Sequence, residues 1–525
     1  MAKYKGDEVN ALNSLPLCYS LRILAMSRKN HVAIVDGTTG ESCTYSELYD
    51  RVSRMVLWLG QNGINPGDRV ACLSENSKVY FELFYALAWI GAVIVPLNMR
   101  LTPSELNFII NNAGAKAMYS SDSFIDNSNE AIKGLSSIKL KFKTGKASAD
   151  WVSFDEFTDI KSENVRSSDN IIGENLFMLL YTSGTTGKPK GCMIPQRTWN
   201  GYAINMASCF GMGQDDVYLA FLPLFHVAGF GTAVSQIQLG GTVVVTSDFD
   251  PEKLYELIEK YKVTIMFLVP GISTYFLYHE VRKKTDVSSL KVFIGGAGGE
   301  KLEMVNDVEE LLGANYFGIY GQTESGGKVT WVNSDMIRKD PSIYGYVMPF
   351  FNYMIADDND NPVSPGEVGE LCLRGTPIMQ GYWNLPEESE ETLRNGWHHT
   401  GDLFVMEESG LVRMVDRKKY LIKTGGENVY PQEVEIVLLS HDSVADAAVI
   451  GILDEKWGEA VKAFVIKKPD MEVTGKELSD WVKKHIAGYK APRYVEFVDA
   501  IPRNASGKVL KGILREGETT PDQKV

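Results

Sequence analysis

The sequence predicts a multidomain protein of layered α/β structure, on three observations. Its 525 residues are more than one core usually holds, since domains commonly run to ~100–200 residues. Short apolar runs that read as buried strands alternate with stretches of helical spacing along most of the chain. A hydrophobic share of 44% with 23% charged residues is ordinary for a soluble globular protein, and such a chain needs no staple to hold its core.

The elements follow in order. Ala33–Cys43 reads as a hairpin with Asp36-Gly37 near its turn. Thr44-Tyr45-Ser46-Glu47 is a capping box, and Leu48, Val52, Met55, Val56 and Leu59 continue it at helical spacing towards Gly60 or Gly63. Pro66-Gly67-Asp68 turns into a strand at Val70–Leu73. Lys116–Asp169 is less patterned and carries Ser, Lys and Asp clusters, so it reads as peripheral. Further strands are expected at Leu176–Leu180, Val292–Ile294, Tyr316–Tyr320, Val444–Leu453 and Val461–Lys467. A second capping box, Thr474-Gly475-Lys476-Glu477, opens a helix running to Ala487.

The bulk numbers exclude several classes. A net charge of −14 disfavours a general nucleic-acid binder and a strong electrostatic grip on an acidic membrane. The six cysteines are scattered without a Cys-x-x-Cys pair, which favours free thiols in a reducing, cytoplasmic setting over a zinc site. Met1–Asn10 has no apolar run of a secretory signal. Leu83–Met99 and Val217–Ser247 are apolar, but the first is short of ~20 residues and both contain Gly, Pro or polar residues, so neither reads as a membrane span. Peripheral membrane contact and a homodimer stay open.

The chemistry begins at Tyr181-Thr182-Ser183-Gly184-Thr185-Thr186-Gly187-Lys188-Pro189-Lys190-Gly191. It follows the Leu176–Leu180 strand. Glycines allow close backbone approach, four hydroxyls and free N–H groups can donate to phosphate oxygens, and Lys188 and Lys190 supply charge. The spacing of a P-loop is absent: two residues separate Gly184 from Gly187, and Pro189 follows Lys188. The string is a phosphate cradle of another kind. It resembles the nucleotide loop of the adenylate-forming superfamily, which includes acyl- and aryl-CoA synthetases, luciferases and peptide-synthetase adenylation domains. The resemblance runs from about Thr44 to Leu510, with long motifs in the family's order.

The resemblance implies a large N-terminal domain over residues 1–416, built of layered α/β subdomains plus a β-barrel-like part. It also implies a hinge at 417–420 and a small mobile α+β domain over 421–525. It assigns ATP-binding roles to Thr182, Ser183, Gly184, Thr185, Thr186, Gly187 and Lys190. It lays Gly296, Ala297 and Gly298 against adenine, within a run that alone would be a weak signal. In Tyr320-Gly321-Gln322-Thr323-Glu324-Ser325 the tyrosine ring stacks on adenine and Thr323 donates to the α-phosphate. Glu324 joins Thr182 as a magnesium ligand, Mg²⁺ favouring one or two protein oxygens beside phosphates. Asp402 matches the ribose-binding acid, Arg417 the ribose-binding arginine and Lys419 the pivot. Many relatives carry Asp where Tyr420 stands. Gly425, Gly426 and Glu427 belong to the loop used in thioester formation with coenzyme A. Lys508, in Pro502-Arg503-Asn504-Ala505-Ser506-Gly507-Lys508, matches the adenylation lysine. His398 and His399 read as structural rather than metal-binding, no third ligand being spaced for it.

His226 lies in a segment, Val217–Ser247, without a single charged residue. Alone, it would be an ordinary core histidine; the resemblance makes it a gate of the carboxylate pocket. The absence of an acid there argues against an amino-acid substrate, and the absence of Lys or Arg against a second carboxylate. The reading is an ATP-, Mg²⁺- and CoA-dependent ligase for an apolar monocarboxylic acid, medium-chain fatty, alicyclic or aryl. The alternatives are an acyl-AMP ligase loading a carrier protein, a luciferase-like enzyme, and a non-catalytic pseudo-ligase.

Overall fold

The computed structural model describes residues 15–148, 150–161, 165, 171–182, 189–296, 302–424, 427–454, 457–503 and 509–516. The chain divides into two compact units. One comprises 1–353 with 373–399, the other 354–372 with 400–525.

The first unit holds two large sheets. One has seven strands in the order Val152–Ser153, Leu140–Lys143, Ala117–Ser120, Arg69–Leu73, Val93–Pro96, Leu176–Thr182, Lys190–Pro195. All neighbours are parallel except the last pair, an antiparallel hairpin with Thr182 opposite Lys190. Parallel strands are buried on both faces and so read as continuous apolar runs, as Val93–Pro96 and Ala117–Ser120 do. Lys116–Asp169 is therefore more than peripheral: it supplies three strands of this sheet, so short that no periodicity shows in the sequence.

The other sheet has nine strands in the order Tyr346–Val347, Gly327–Asn333, Asn315–Gln322, Val292–Gly296, Ile265–Leu268, Val217–Ala220, Thr242–Val245, Val32–Asp36, Ser42–Thr44. Its centre is parallel and its margins antiparallel. After Val217–Ala220 the chain first builds outward on one side, to Thr242–Val245, and then crosses to Ile265–Leu268 on the other. The strand order reverses there. In open α/β sheets the crevice beyond the carboxyl ends of the strands at such a reversal receives the ligand. Those ends carry Phe221–His226, Leu268, Gly296 and the Gln322-Thr323-Glu324 turn.

The expected capping boxes are present at Thr44/Glu47 and Thr474/Glu477. A third, Thr102/Glu105, was not expected, and it opens the helix Pro103–Ala113. Each satisfies two otherwise orphaned backbone donors. The six cysteines are free and buried.

The second unit has a sheet of Glu427–Val429, Ile422–Thr424, Gly458–Lys467 and Val444–Asp454, with Tyr494–Phe497 pairing alongside Gly458–Lys467. Helices Pro431–Leu439 and Gly475–His485 cover it, burying Val434, Leu438, Leu478 and Val482 against Val449, Val461 and Ala463. Each such side chain contributes roughly 1.5–3 kcal/mol when fully buried. The barrel-like part is corrected: strands Phe351–Ala356, Val368–Gly375, His398–Met406 and Val412–Arg417 form an open row of four. Among the described residues no further strand closes it; four strands are too few for a filled barrel.

Candidate active site

Two strings from different sheets meet at one thiol. Thr182 ends its strand as the phosphate cradle begins, and its side chain hydrogen-bonds the fully buried Cys192 on the opposing hairpin strand. Glu324 lies close enough to the same thiol to push its pKa up, after burial, which is the larger cause. Geometry links the two strings through Lys190: Thr182 pairs with Lys190, Lys190 lies over the Tyr382 ring, and Tyr382 donates to Glu324. Ser183, Gly184, Thr185, Thr186, Gly187 and Lys188 lie outside the described residues. Lys190 stands with its ammonium 5.3 Å from the centre of the Tyr382 ring and 4.0 Å from Glu388.

The Glu324 turn is held from several sides. Ser325 Oγ donates to the Gln322 carbonyl at 2.9 Å and accepts from the Gln322 N–H at 3.2 Å. His398 Nε2 lies 3.3 Å from Gln322 Oε1. Thr198 and Arg197 donate to the Pro377 and Ile378 carbonyls at 3.1 and 3.0 Å, and the Met379 N–H donates to the Glu324 carbonyl at 3.0 Å. Tyr382 donates its hydroxyl to Glu324 Oε1 at 3.0 Å. Burial first, then the Glu324 charge, drives the Tyr382 pKa upward, so the phenol stays protonated and remains a donor. The other Glu324 oxygen has no partner among the described residues. An oriented carboxylate oxygen beside a threonine hydroxyl is a hard-oxygen donor set that suits Mg²⁺.

Tyr320 is buried and meets Tyr344 edge-on, with centroids 6.1 Å apart. Gly321 pairs with Lys328 across the hairpin, and Thr323 occupies the turn itself. Gly296 ends its strand beside the Phe267 ring, whereas Ala297 and Gly298 lie outside the described residues.

His226 caps the helix Val227–Gln238, its Nδ1 accepting the Ala228 N–H at 3.2 Å. The proton of the neutral ring therefore sits on Nε2. The ring is reachable by solvent yet enclosed by protein on most sides, which places it in a recess rather than on a convex face. Desolvation holds its pKa below the usual histidine range, so it is neutral at pH 7.

In the second unit Asp402 and Arg417 face each other in register on adjacent strands, with Arg417 Nε 3.3 Å from Asp402 Oδ1. Asp402 is almost fully buried and Arg417 partly open. Asp416 accepts the N–H groups of Arg417 and Gln432 at 2.6 and 2.8 Å, while burial raises its pKa. Lys418 bridges Asp358 at 2.9 Å and Glu370 at 3.2 Å. Lys419 extends over the Tyr420 ring at 5.0 Å, and Lys511 approaches the same ring at 5.3 Å. Tyr420 is thus a platform between two cations. Glu427 is exposed at the start of its strand, and Gly425, Gly426 and Lys508 lie outside the described residues.

The sequence reading missed Lys328, Tyr202 and Tyr382. Lys328 is 3% exposed on the strand that leaves the Glu324 turn, and Tyr202 lies on the helix Arg197–Phe210.

Residues 22–383 match the family of AMP-binding enzymes, and 433–508 match the AMP-binding enzyme C-terminal domain. The chain is 34% identical to a feruloyl-CoA synthase of Amycolatopsis over 91% of its own length and 94% of the relative's. It is 32% identical to a 2-succinylbenzoate–CoA ligase of Geobacillus over 92% and 94%. Its fold is similar to that of the amide bond synthetase McbA from Marinactinospora thermotolerans, with a TM-score of 0.85, 28% identity, and coverage of 96% and 99%. The chain belongs to the AMP-binding enzymes, the adenylate-forming superfamily.

Proposed function

We propose that the protein joins a carboxylic acid bearing an apolar body to coenzyme A in two half-reactions. A carboxylate oxygen of the acid attacks the α-phosphorus of ATP. The bond to the β-phosphate bridging oxygen breaks, giving acyl-AMP and pyrophosphate. The sulfur of CoA then attacks the acyl carbon, AMP leaves with its phosphate oxygen, and the thiol proton passes to solvent or a base. The observation that carries this reading is the chain of contacts from Thr182 through Lys190 and Tyr382 to Glu324, which joins the phosphate cradle to the adenylate turn.

Magnesium bound there would neutralise phosphate charge. Thr182 and Glu324 would be its protein ligands, and Tyr382 would fix the carboxylate rotamer. Asp402 and Arg417 would hold the ribose hydroxyls. Lys508 would counter the charge developing in adenylation. Residues 417–420 would form the hinge between a large domain, 1–416, and a small one, 421–525. Gly425, Gly426 and Glu427 would serve the thioester step. The two steps differ in shape, which gives a physical reason for two enclosures. His226, neutral and recessed, would border the acyl entrance.

Among the described residues no helix is long and apolar enough to cross a membrane; a cytoplasmic setting is our reading from the cysteine pattern. The test is release of AMP by purified protein given Mg²⁺, ATP, CoA and a panel of acids. AMP release that needs both acid and CoA is the expected result. Pyrophosphate exchange without CoA-dependent release would point to another acceptor, and no exchange with any acid would overturn the reading.

A further inference from the structure

A lysine lies buried in the first unit without a carboxylate among the described residues to answer it. The Lys328 ammonium is 2.6 Å from Tyr202 Oη and 2.6 Å from Thr232 Oγ1. It lies 4.5 Å from the centre of the Phe267 ring and 5.0 Å from that of Tyr202. An ammonium has three donors, and two are used. Thr232 is committed as well, its own hydroxyl donating to the Ala228 carbonyl at 3.0 Å. Tyr202 accepts from Lys328 and is hydrogen-bonded to Thr232 as well. Tyr218, beside Tyr202, is fully buried, with its hydroxyl directed at the same Thr232. One Lys328 donor is therefore left over inside a buried polar cluster.

An apolar side chain here would avoid the cost of burying an ammonium, so the lysine is poorly explained by packing. Burial drives its pKa well down. Its neighbours are fixed for it. The Tyr202 ring fills space left by two glycines: a Cβ on Gly327 would come within 2.5 Å of the ring, and one on Gly231 within 2.8 Å. The cluster is also tied to the acyl entrance. Thr232 and Gly231 are on the helix that His226 caps, Val227 packs near Gly327, and Phe267 borders Gly296. Phe267 is on a strand at the reversal of strand order, and Thr232 is on the helix that follows Val217–Ala220 there.

We propose that Lys328, with Tyr202, is a specificity-determining pair that receives a second carboxylate, at the end of the acid remote from the one that reacts. This rests on the ligase reading above and replaces the expectation of a monocarboxylic substrate. That expectation came from the charge-free segment Val217–Ser247, but the cation arrives from a different strand. A carboxylate oxygen matches the third Lys328 donor, and the Tyr202 hydroxyl, which Lys328 and Thr232 hold in place, lies beside it. The apolar rings between the two ends accept an aliphatic or aryl spacer.

The test uses straight-chain and aromatic acids, each with a methyl, an amide or a carboxylate at the far end, and reads kcat/KM for AMP release. The wild type should prefer the carboxylate-ended form. Lys328→Met should lower kcat/KM for that form by about tenfold to a hundredfold, the range of one charge-assisted hydrogen bond. It should leave methyl-ended acids at or above their wild-type rate, so the order of preference inverts. Tyr202→Phe should give a smaller loss confined to the carboxylate-ended form, and it stands in if Lys328→Met does not fold. A wild-type preference for methyl-ended acids, or equal losses on all three forms, overturns the proposal while the ligase reading stands. Failure of every acid to be adenylated overturns both.

Discussion

The Tyr382 hydroxyl donates to Glu324 Oε1 at 3.0 Å and leaves the second carboxylate oxygen open. Residues 58 positions apart thereby fix one rotamer of the proposed metal ligand. Tyr382→Phe should lower adenylation about tenfold, a hydrogen bond to a charged group contributing about 1.5–3 kcal/mol. The Mg²⁺ concentration for half-maximal activity should rise with it. Glu324→Gln should cost more, about a hundredfold or beyond. Pyrophosphate exchange titrated with Mg²⁺ checks both, and an unchanged Mg²⁺ requirement in both variants would refute the metal assignment.

The Asp402–Arg417 pair predicts a nucleotide effect. Asp402→Asn removes the acceptor charge while retaining shape, and leaves Arg417 without its partner at 3.3 Å. KM for ATP should rise about tenfold or more, with a smaller change in KM for the acid. Steady-state kinetics with each substrate varied would show it.

Lys508 is assigned to the first half-reaction alone. Lys508→Ala should reduce acyl-AMP formation by about a hundredfold or more and largely spare thioester formation from supplied acyl-AMP. Equal loss in both steps would refute the role.

Lys511 and Glu435 form a largely buried pair at 2.7 Å in the second unit. Burial raises the Glu435 pKa and Lys511 opposes that rise. Lys511→Met leaves the carboxylate unpaired and should destabilise this unit by about 3–5 kcal/mol. The sign of the pH effect follows. The folded pKa of Glu435 is then higher still above its unfolded value, so the penalty is present above the folded pKa and fades as pH falls through it. The variant should gain stability as pH falls from its folded Glu435 pKa towards the ordinary glutamate range, and Glu435→Gln in the same background should flatten that slope. Denaturant melts across pH decide it.

Gly327 has φ of 120°, and an added Cβ would lie 2.5 Å from Tyr202. Gly327→Ala should cost at least about 2 kcal/mol, from backbone strain together with the clash. It should also disturb acid selection, read as a changed ratio of kcat/KM between acids.

Much of the site was legible because its chemistry sits in loops that close strands. Tyr181–Gly191 and Tyr320–Ser325 are strings whose Gly, Thr and Glu have no need to obey a packing period, so they stand out. The acyl end was not legible for the opposite reason. Lys328 lies in Gly327-Lys328-Val329-Thr330-Trp331, where a lysine in a strand ordinarily marks a solvent face. Burial arises only because helices Arg197–Phe210 and Val227–Gln238 cover that strand. Tyr382 was hidden likewise, its segment being brought to Glu324 by Arg197, Thr198 and the Met379 N–H. The strands of Lys116–Asp169 were missed because four residues or fewer display no period.

Where the nine-stranded sheet turns back on itself, Tyr202, Thr232, Phe267 and Lys328 are recruited from four separate stretches of chain. None of them lies in the phosphate cradle or the adenylate turn. A few substitutions among these positions could therefore retune which cargo is accepted while the energy-coupling chemistry is inherited intact. One scaffold can in this way serve many acids, each new preference arising from small independent edits.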